Sequence, residues 1–236
     1  MHDPLIIWPP LTRGTLVRRY KRFMADVALD DGTVITAHCP NSGRMLACSD
    51  PGNTVYLSLS ASPGRKFPHT WELIEMPDTL VVVNTLRANQ LARSAIERRF
   101  IPELSGYTSL KSEVRISDRS RIDLVLEGRG LEPCLVEVKS STLVEQGMAM
   151  FPDAVTTRGL KHVRELQAMR HKGYRAVMLF IIQRTDAHSF APAARIDPAY
   201  ADGLKEACTD GVEALAYDTA IDLSGVTLGR NIPCIV

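Results

Sequence analysis

The segment of residues 121–141, RIDLVLEGRGLEPCLVEVKSS, restricts the fold more than any other stretch of the chain. Apolar residues alternate on both sides of a Gly-Arg-Gly turn, which is typical of two half-buried strands joined as a hairpin. The first strand, residues 121–126, carries one acid, Asp123, in a run that otherwise favours burial. The second carries Glu137 and Lys139 on one face, because residues two apart on a strand share a face. The segment therefore predicts a β-hairpin with ionisable groups at its centre.

Pairing of these two strands would bring Asp123 beside Glu137 and Lys139. Two carboxylates at such close range raise each other's pKa, so both stay ionised only if a cation lies between them. Lys139 supplies one positive charge, and a divalent metal ion would supply the rest. A cross-strand ion pair on a solvated sheet face would give the same pattern. The sequence therefore predicts either a metal-binding carboxylate site or a surface salt bridge.

The composition is that of an ordinary globular protein. The 236 residues are enough for one large domain or two small ones, and the net charge of +1 provides no general attraction to a polyanion. Five cysteines without Cys-x-x-Cys spacing argue against a disulfide framework or a zinc cluster. The first residues lack the basic start of a signal peptide, and the longest apolar run, Ala176 to Ile182, is too short to cross a bilayer. We therefore expect a cytoplasmic protein without a membrane partner.

Residues 11–85 show short strand patterns separated by turns and no helical pattern. About five strands in this length predict a small closed barrel, of which the OB type is the first choice. Cations and rings are interleaved here, as in surfaces that bind phosphates and stack bases. The alternative is that the rings belong to the core and the charges point to both faces. The candidate nucleic-acid contacts are Arg18, Arg19, Lys21, Arg22, Arg65, Lys66 and Trp71.

The pattern changes after Asn84. Residues 88–100 have apolar side chains at helical spacing, and residues 109–117 alternate as a strand. Glu97 on this helix would reach the carboxylate site if the helix crosses the sheet, and otherwise it is a solvated side chain. Glu113 on the strand is a candidate ligand or a partner in a cross-strand ion pair. The order of helices and strands from here onward predicts a mixed sheet flanked by helices.

Residues 140–157 have no regular pattern and predict a loop of the kind that covers a site. This loop carries Asp153. A helix begins near Arg158, and its cationic face suits phosphate, although such faces are solvated in most helices. His162 lies on this helix and is a candidate site residue, with a surface or capping role as the alternative. Asp153, Arg158 and His162 are therefore added to the candidate site.

Seven segments, in register along the chain, together resemble the sequences of a known family. They are YKRFMADV, HCPNSGRM, FPHTWELIE, LSGYTSLKSEV, SRIDLVL, VEVKSSTL and FPDAVTTRGLKHVREL. Together they resemble the bacterial sugar fermentation stimulation protein A family. The resemblance implies an α/β protein with an all-β N-terminal domain: an OB-like barrel, residues 1–85, followed by a PD-(D/E)xK nuclease-like mixed sheet flanked by helices, residues 86–236. The family is described as binding DNA without sequence preference and as regulating maltose and other sugar metabolism.

The acidic position of the nuclease-like motif falls on Asp123, its glutamate on Glu137 and its lysine on Lys139, whereas Ile122 replaces the proline expected before the aspartate. The resemblance implies that these three residues are catalytic. Mg or Mn would be held by Asp123, Glu137 and the backbone carbonyl of Val138, and Lys139 would stabilise the transition state.

Two functions are compatible with these features. The first is a metal-dependent nuclease, and the second is a non-catalytic DNA-binding regulatory protein that keeps the nuclease-like fold only as a platform. Both predict nonspecific DNA binding, with RNA as a further candidate partner. A small-molecule sensor of sugar metabolism is a third class, and no segment resembles a sugar pocket.

Overall fold

Sixteen strands, three α-helices and a short 3-10 helix, Pro102–Leu104, occur in the part of the chain that the computed structural model describes, residues 3–62, 64–117 and 120–236. The first seven strands are β1 (Ile6–Ile7), β2 (Leu11–Tyr20), β3 (Met24–Leu29), β4 (Val34–His38), β5 (Thr54–Leu59), β6 (His69–Met76) and β7 (Thr79–Val82). The central elements are α1 (Leu86–Glu97), β8 (Ser109–Ser117), β9 (Ser120–Glu127), β10 (Cys134–Ser141), β11 (Leu143–Glu145) and β12 (Met148–Phe151). The last are α2 (Thr157–Arg170), β13 (Arg175–Ile182), β14 (Ser189–Pro192), α3 (Pro198–Thr209), β15 (Glu213–Ile221) and β16 (Gly225–Asn231).

Strands β2 to β6 form a closed barrel. They pair antiparallel in the order β4-β3-β2-β5-β6, and a parallel contact between His38 and Thr70 joins β4 to β6. The turn from β3 to β4 forms as its sequence predicts: the amide of Thr33 donates to Asp31 Oδ1 at 2.8 Å, and Gly32 has a φ of 84° that favours glycine. The predicted OB-like N-terminal barrel is confirmed.

The second sheet has seven strands in the order β1-β16-β15-β13-β10-β9-β8. Strands β10, β13 and β15 are parallel and the other neighbours are antiparallel, so the predicted mixed sheet is confirmed. The central strand β13 is buried along residues 176–182, because helices cover both faces of the sheet. Strand β1, near the start of the chain, joins this sheet through the pair Ile6 and Val226.

Helix α1 lies on one face of the large sheet, and α2 and α3 lie on the other. Leu91 of α1 belongs to the same buried cluster as Val136 and Leu179. Val163 of α2 is buried with Phe180 in the opposite cluster. Alternate residues of the central strands therefore serve two cores, and Asp123 and Glu137 are acids within strands that are otherwise mostly buried. Over the described residues, none of the helices is long and apolar enough to cross a membrane.

Two local expectations differ from the structure. Residues 140–157 are not an irregular loop, because β11 and β12 lie there and form a three-stranded sheet with β14. Strands of three and four residues are too short to give a clear alternation. Strand alternation also predicts that Ile122 and Leu124 share one face of β9. In the structure Ile122 packs in the cluster of α2, whereas Leu124 packs in the cluster of α1. The alternation of β9 is therefore interrupted at Asp123.

Candidate active site

The register of β9 and β10 places Asp123 beside Glu137. Val136 of β10 pairs with Leu124 of β9. Because the strands are antiparallel, Glu137, which follows Val136, lies opposite Asp123, which precedes Leu124. The amide of Val138 donates to Asp123 Oδ2 at 2.8 Å, which ends the backbone ladder here and directs the carboxylate across the hairpin. The structure therefore brings the two predicted acids together on adjacent strands.

Glu137 is 2% exposed and lies at the centre of the cluster. Its Oε1 accepts from Lys139 Nζ at 2.5 Å and is in contact with His162 Nδ1. Burial opposes ionisation of this carboxyl, but His162 and Lys139 outweigh it and hold the pKa of Glu137 below its usual value. The other oxygen, Oε2, is buried and has no hydrogen-bond partner among the described residues. Glu137 is therefore an ionised acid whose Oε2 makes no hydrogen bond with the described residues.

Asp123 has the opposite electrostatic setting. Burial, and then the charge of Glu137, raise its pKa to about 6, against the lowering effect of the Val138 amide. Asn89 of α1 donates from Nδ2 to Asp123 Oδ1 at 3.0 Å. Both oxygens thus have donors that fix the orientation of the carboxylate. Sequence reasoning missed Asn89, because an asparagine on a helix has no distinguishing spacing.

The two carboxylates fit a hard divalent cation, since such ions prefer oxygen ligands and the buried Oε2 of Glu137 lacks a partner. A cation between the acids would also offset the repulsion that raises the pKa of Asp123. Within the described residues, no group of three or more His, Cys, Asp or Glu side chains is arranged to hold a metal. A metal here would therefore need ligands beyond the side chains, such as backbone carbonyls and water. The carbonyl of Val138 stays a predicted ligand.

The cluster lies at the base of a cavity of about 790 Å³ between the barrel and the large sheet. Basic groups from both parts line it. They are Arg19, Arg22 and Arg44 from the barrel and Lys139, Arg158 and His162 from the large domain. The predicted site residues Arg158 and His162 are thus brought to the acidic pair, and Arg158 Nε lies 3.4 Å from His162 Nε2. Arg44, which was missed in the sequence, sits in a loop without a regular pattern.

The barrel wall of this cavity is the clamp loop, residues 41–45. Asp153 Oδ2 accepts from the amide of Met45 at 2.7 Å, so this acid joins the clamp loop to the large domain. Arg19 donates to the carbonyls of Asn41 and Gly43, both at 2.8 Å, and so stabilises the loop from the barrel side. In this structure Asp153 and Arg19 hold the cavity walls rather than extend freely into the cavity.

Two acids predicted for the site lie elsewhere. Glu97 is exposed, is absent from the cavity lining and forms an ion pair with Arg93 at 3.0 Å, one turn earlier on α1. The helix does cross the sheet, but Asn89 is its residue that reaches the site. Glu113 is also exposed and outside the cavity lining, and it has a φ of 55°, a conformation that few residues other than glycine adopt. The structure therefore does not bring Glu97 or Glu113 to the acidic pair.

The predicted nucleic-acid contacts on the barrel fall into three groups: one buried residue, residues that line the cavity and exposed residues outside it. Trp71 is fully buried, and its Nε1 donates to the carbonyl of Leu73, so its prediction as a nucleic-acid contact is wrong. Arg18 forms an ion pair with Asp26 at 2.8 Å. Among the predicted barrel residues, only Arg19 and Arg22 line the cavity; the exposed residues outside it are Arg18, Lys21, Arg65 and Lys66.

Comparison with known proteins agrees with this architecture. The family model described as "Sugar fermentation stimulation protein RE domain" matches residues 86–225, and the "SfsA N-terminal OB domain" matches residues 17–83. An OB barrel followed by a helix-flanked mixed sheet, the RE domain, defines a class of two-domain proteins. The chain belongs to the sugar fermentation stimulation protein family.

Individual relatives extend over nearly the whole chain. A sugar fermentation stimulation protein homolog of Citrifermentans bemidjiense is 54% identical over 228 residues, which cover 96% of this chain and 98% of the relative. The homolog of Geobacter sulfurreducens is 50% identical over 231 residues, with 98% and 99% covered. The solved structure of Pyrococcus furiosus SfsA in complex with Ca²⁺ is 29% identical, covers 100% of both chains and superposes with a TM-score of 0.91.

Proposed function

We propose that the protein is a metal-dependent nuclease that binds DNA without sequence preference and hydrolyses its phosphodiester bonds. The observation that carries this proposal is the convergence of Asp123, Glu137 and Lys139 at the base of a cavity lined with arginines. Anionic oxygens suit a cation, and the surrounding guanidinium groups suit the phosphates on either side of the scissile bond.

Mg or Mn is the proposed cofactor. The related Pyrococcus furiosus protein is described in complex with Ca²⁺, which supports a divalent cation site in this family. Asp123, Glu137 and the carbonyl of Val138 would hold the metal. When bound, such an ion activates a water molecule and neutralises charge on a phosphate.

The chain's own residues would position the reacting groups. Asn89 and the amide of Val138 hold Asp123 in one orientation. Lys139 Nζ lies close to Glu137, and the Lys139 side chain lines the cavity and is 13% exposed, so its charge would be available to a phosphate oxygen that develops negative charge. His162 restrains Glu137 from the α2 side. We assign Asp123, Glu137 and Lys139 the catalytic roles and His162 a positioning role.

Exposed arginines at the cavity would supply nonspecific affinity. Arg22, Arg44 and Arg158 are exposed, and contacts from such groups to phosphates carry no sequence information. The net charge of +1 means that attraction to DNA depends on this local concentration of charge.

Cleavage of end-labelled single- and double-stranded DNA and RNA with Mn²⁺ or Mg²⁺ tests the proposal. We expect Lys139→Ala to lower the cleavage rate by about a hundredfold or more, because one electrostatic contact in a transition state contributes on this scale. DNA affinity should change much less. The exposed Lys205→Ala on α3 is the matched control and should cleave normally. Cleavage that survives in both Asp123→Ala and Lys139→Ala would contradict the assignment.

The second candidate is a DNA-binding regulator without catalysis. It is favoured by the contacts of Glu137 Oε1, since Lys139 and His162 already compensate its charge without a metal. The family name, sugar fermentation stimulation protein, supports a link of such binding to sugar metabolism, and regulation of maltose metabolism is part of this second proposal. DNA binding without cleavage under every metal condition, in both the parent protein and Asp123→Ala, would favour this candidate.

A further inference from the structure

The acidic pair lies deep while the cavity mouth is exposed. Glu137 and Lys139 have side chains that are 2% and 13% exposed. Leu86 and Val155, which line the same cavity, are 63% and 72% exposed. A scissile phosphate must therefore descend past the mouth before it reaches the groups at the base.

The cavity walls are fixed by contacts between the domains and by one contact within the barrel. Asp153 of the large domain accepts from the amide of Met45 at 2.7 Å, and within the barrel the side chain of Asn41 donates to the carbonyl of Val83 at 3.1 Å. A β-carbon on Gly43 would lie 2.6 Å from both carboxylate oxygens of Asp153, so the clamp loop is packed directly on this acid. Arg184 adds donors to the carbonyls of Ala47 and Thr142. The two walls are therefore held at a set separation.

A volume of about 790 Å³ lies within the range of pockets that hold one small molecule. A B-form duplex carries its phosphates on the outside of a helix that is much wider than such a pocket, so the helix as a whole stays at the mouth and only its surface phosphates face the cavity. A separated strand has no such restriction. The depth of Glu137 and the fixed walls thus favour a strand that is already single.

The mouth also presents apolar groups that a duplex would not use. Leu86 and Val155 line the cavity and are exposed at its mouth. Unpaired bases expose apolar faces that contact such side chains, whereas paired bases hide them in the stack. Exposed arginines nearby would hold the backbone of the same strand.

From this geometry we propose that the cavity is selective for single-stranded DNA, with phosphates bound by Arg22, Arg44 and Arg158 and with unstacked bases against Leu86 and Val155. This inference rests on the proposed nuclease function and names its substrate. It makes Leu86 and Val155 specificity-determining residues, although neither bears a group that takes part in the chemistry.

Fluorescence anisotropy tests the inference with a labelled single strand of about 20 nucleotides, longer than one OB site, and with the blunt duplex of the same sequence. Both are titrated with full-length protein and Ca²⁺, and each oligonucleotide is checked on a gel to be intact. We expect the single strand to bind at least about tenfold more tightly, because only it offers base contacts. The double variant Leu86→Ser/Val155→Ser should weaken single-strand binding about fivefold or more and leave duplex binding unchanged. Val34→Ser, an equally exposed apolar position on the barrel away from the cavity, is the control.

Each outcome separates the inference from the function on which it rests. Equal or tighter duplex binding, or an equal loss for both ligands in the double variant, would overturn the single-strand selectivity while leaving a nuclease intact. Failure to bind either ligand would overturn the proposed function itself. Unchanged melting temperatures of both variants would show that the loss of affinity is not a loss of folding.

Discussion

At the scale of single residues, the surroundings of the two carboxylates shift their pKa values in opposite directions. Glu137 keeps a low pKa because His162 and Lys139 overcome the effect of its burial, whereas burial and the charge of Glu137 raise the pKa of Asp123 to about 6. Neighbouring acids with divergent pKa values are typical of functional sites, although structural ion pairs produce them as well. The acid that takes up a proton near neutral pH is therefore Asp123.

This arrangement predicts an unusual effect of Asp123→Asn on stability. The folded pKa of about 6 exceeds the ordinary value of 3.8, so the folded protein binds a proton more tightly than the unfolded chain, and Asp123 lowers stability as pH rises from about 4 to 6. Without metal, Asn should raise the free energy of unfolding at pH 7.5 by about 2 kcal/mol and have little effect near pH 4. Urea denaturation at both pH values, with a chelator present to remove metal, measures this change in the free energy of unfolding.

The exposed Asp202→Asn on α3 provides the comparison and should have no pH-dependent effect. A lower stability of Asp123→Asn at pH 7.5 would mean that the hydrogen bonds from Asn89 and Val138 outweigh the repulsion.

Sequence reasoning at this scale succeeded where a pattern was periodic. Asp123, Glu137 and Lys139 were found because strand alternation and a turn define which residues meet. Trp71 was assigned to the wrong environment, since an aromatic ring on a strand fits either the core or a binding face. Asn89 and Arg44 enter the site only through tertiary packing, and no local pattern marks them.

At the scale of elements, the clamp loop determines the shape of the cavity. Its conformation depends on Asp153 from one domain and Arg19 from the other, both of which were predicted as ligand contacts. The segment that carries Asp153 follows β12, a strand of four residues that alternation could not reveal. The loop is thus supported by elements that only the folded chain brings together.

Asp153→Ala should release the clamp loop. Loss of the acceptor leaves the amide of Met45 without its partner, which costs about 1–3 kcal/mol when such a group is buried. We expect faster amide hydrogen exchange in residues 41–45 and weaker DNA binding through Arg44. Hydrogen exchange followed by mass spectrometry measures the first effect, and anisotropy measures the second.

Asp153→Asn retains an acceptor oxygen and serves as the control, with exchange close to that of the parent protein. The sequence predicts Asp153 only as an additional site residue. If it were instead a metal ligand, both variants would lose metal affinity in calorimetric titrations.

At the scale of the whole molecule, a buried ion pair joins the barrel to the large domain. Glu72 of β6 accepts from Arg87 of α1 at 2.8 and 3.0 Å, and also from Ser58 and Asn84. Its side chain is 2% exposed. Composition and a net charge of +1 gave no indication of this connection, because it depends on how a barrel strand packs against α1.

Arg87→Met should destabilise the protein by about 3–5 kcal/mol, because it leaves the charge of Glu72 buried without its partner. The double variant Glu72→Gln/Arg87→Met should recover part of the loss, since it removes the buried charge. Urea denaturation followed by tryptophan fluorescence measures both. Equal losses in the single and double variants would indicate that packing, and not charge, dominates at this position.

The pairing of β1 with β16 has a consequence for how the chain is made. Trp8, next to β1, is buried in the core of the large domain and donates from Nε1 to the carbonyl of Asp222 at 2.8 Å. A ribosome releases β1 and Trp8 before the barrel and β16 long after it, so this edge of the sheet is completed only once β16 has emerged. A fragment that starts at residue 86 would lack both, and its outer strand would be open to pairing with other chains. Separate production of the two domains would therefore yield a soluble barrel more readily than a soluble large domain.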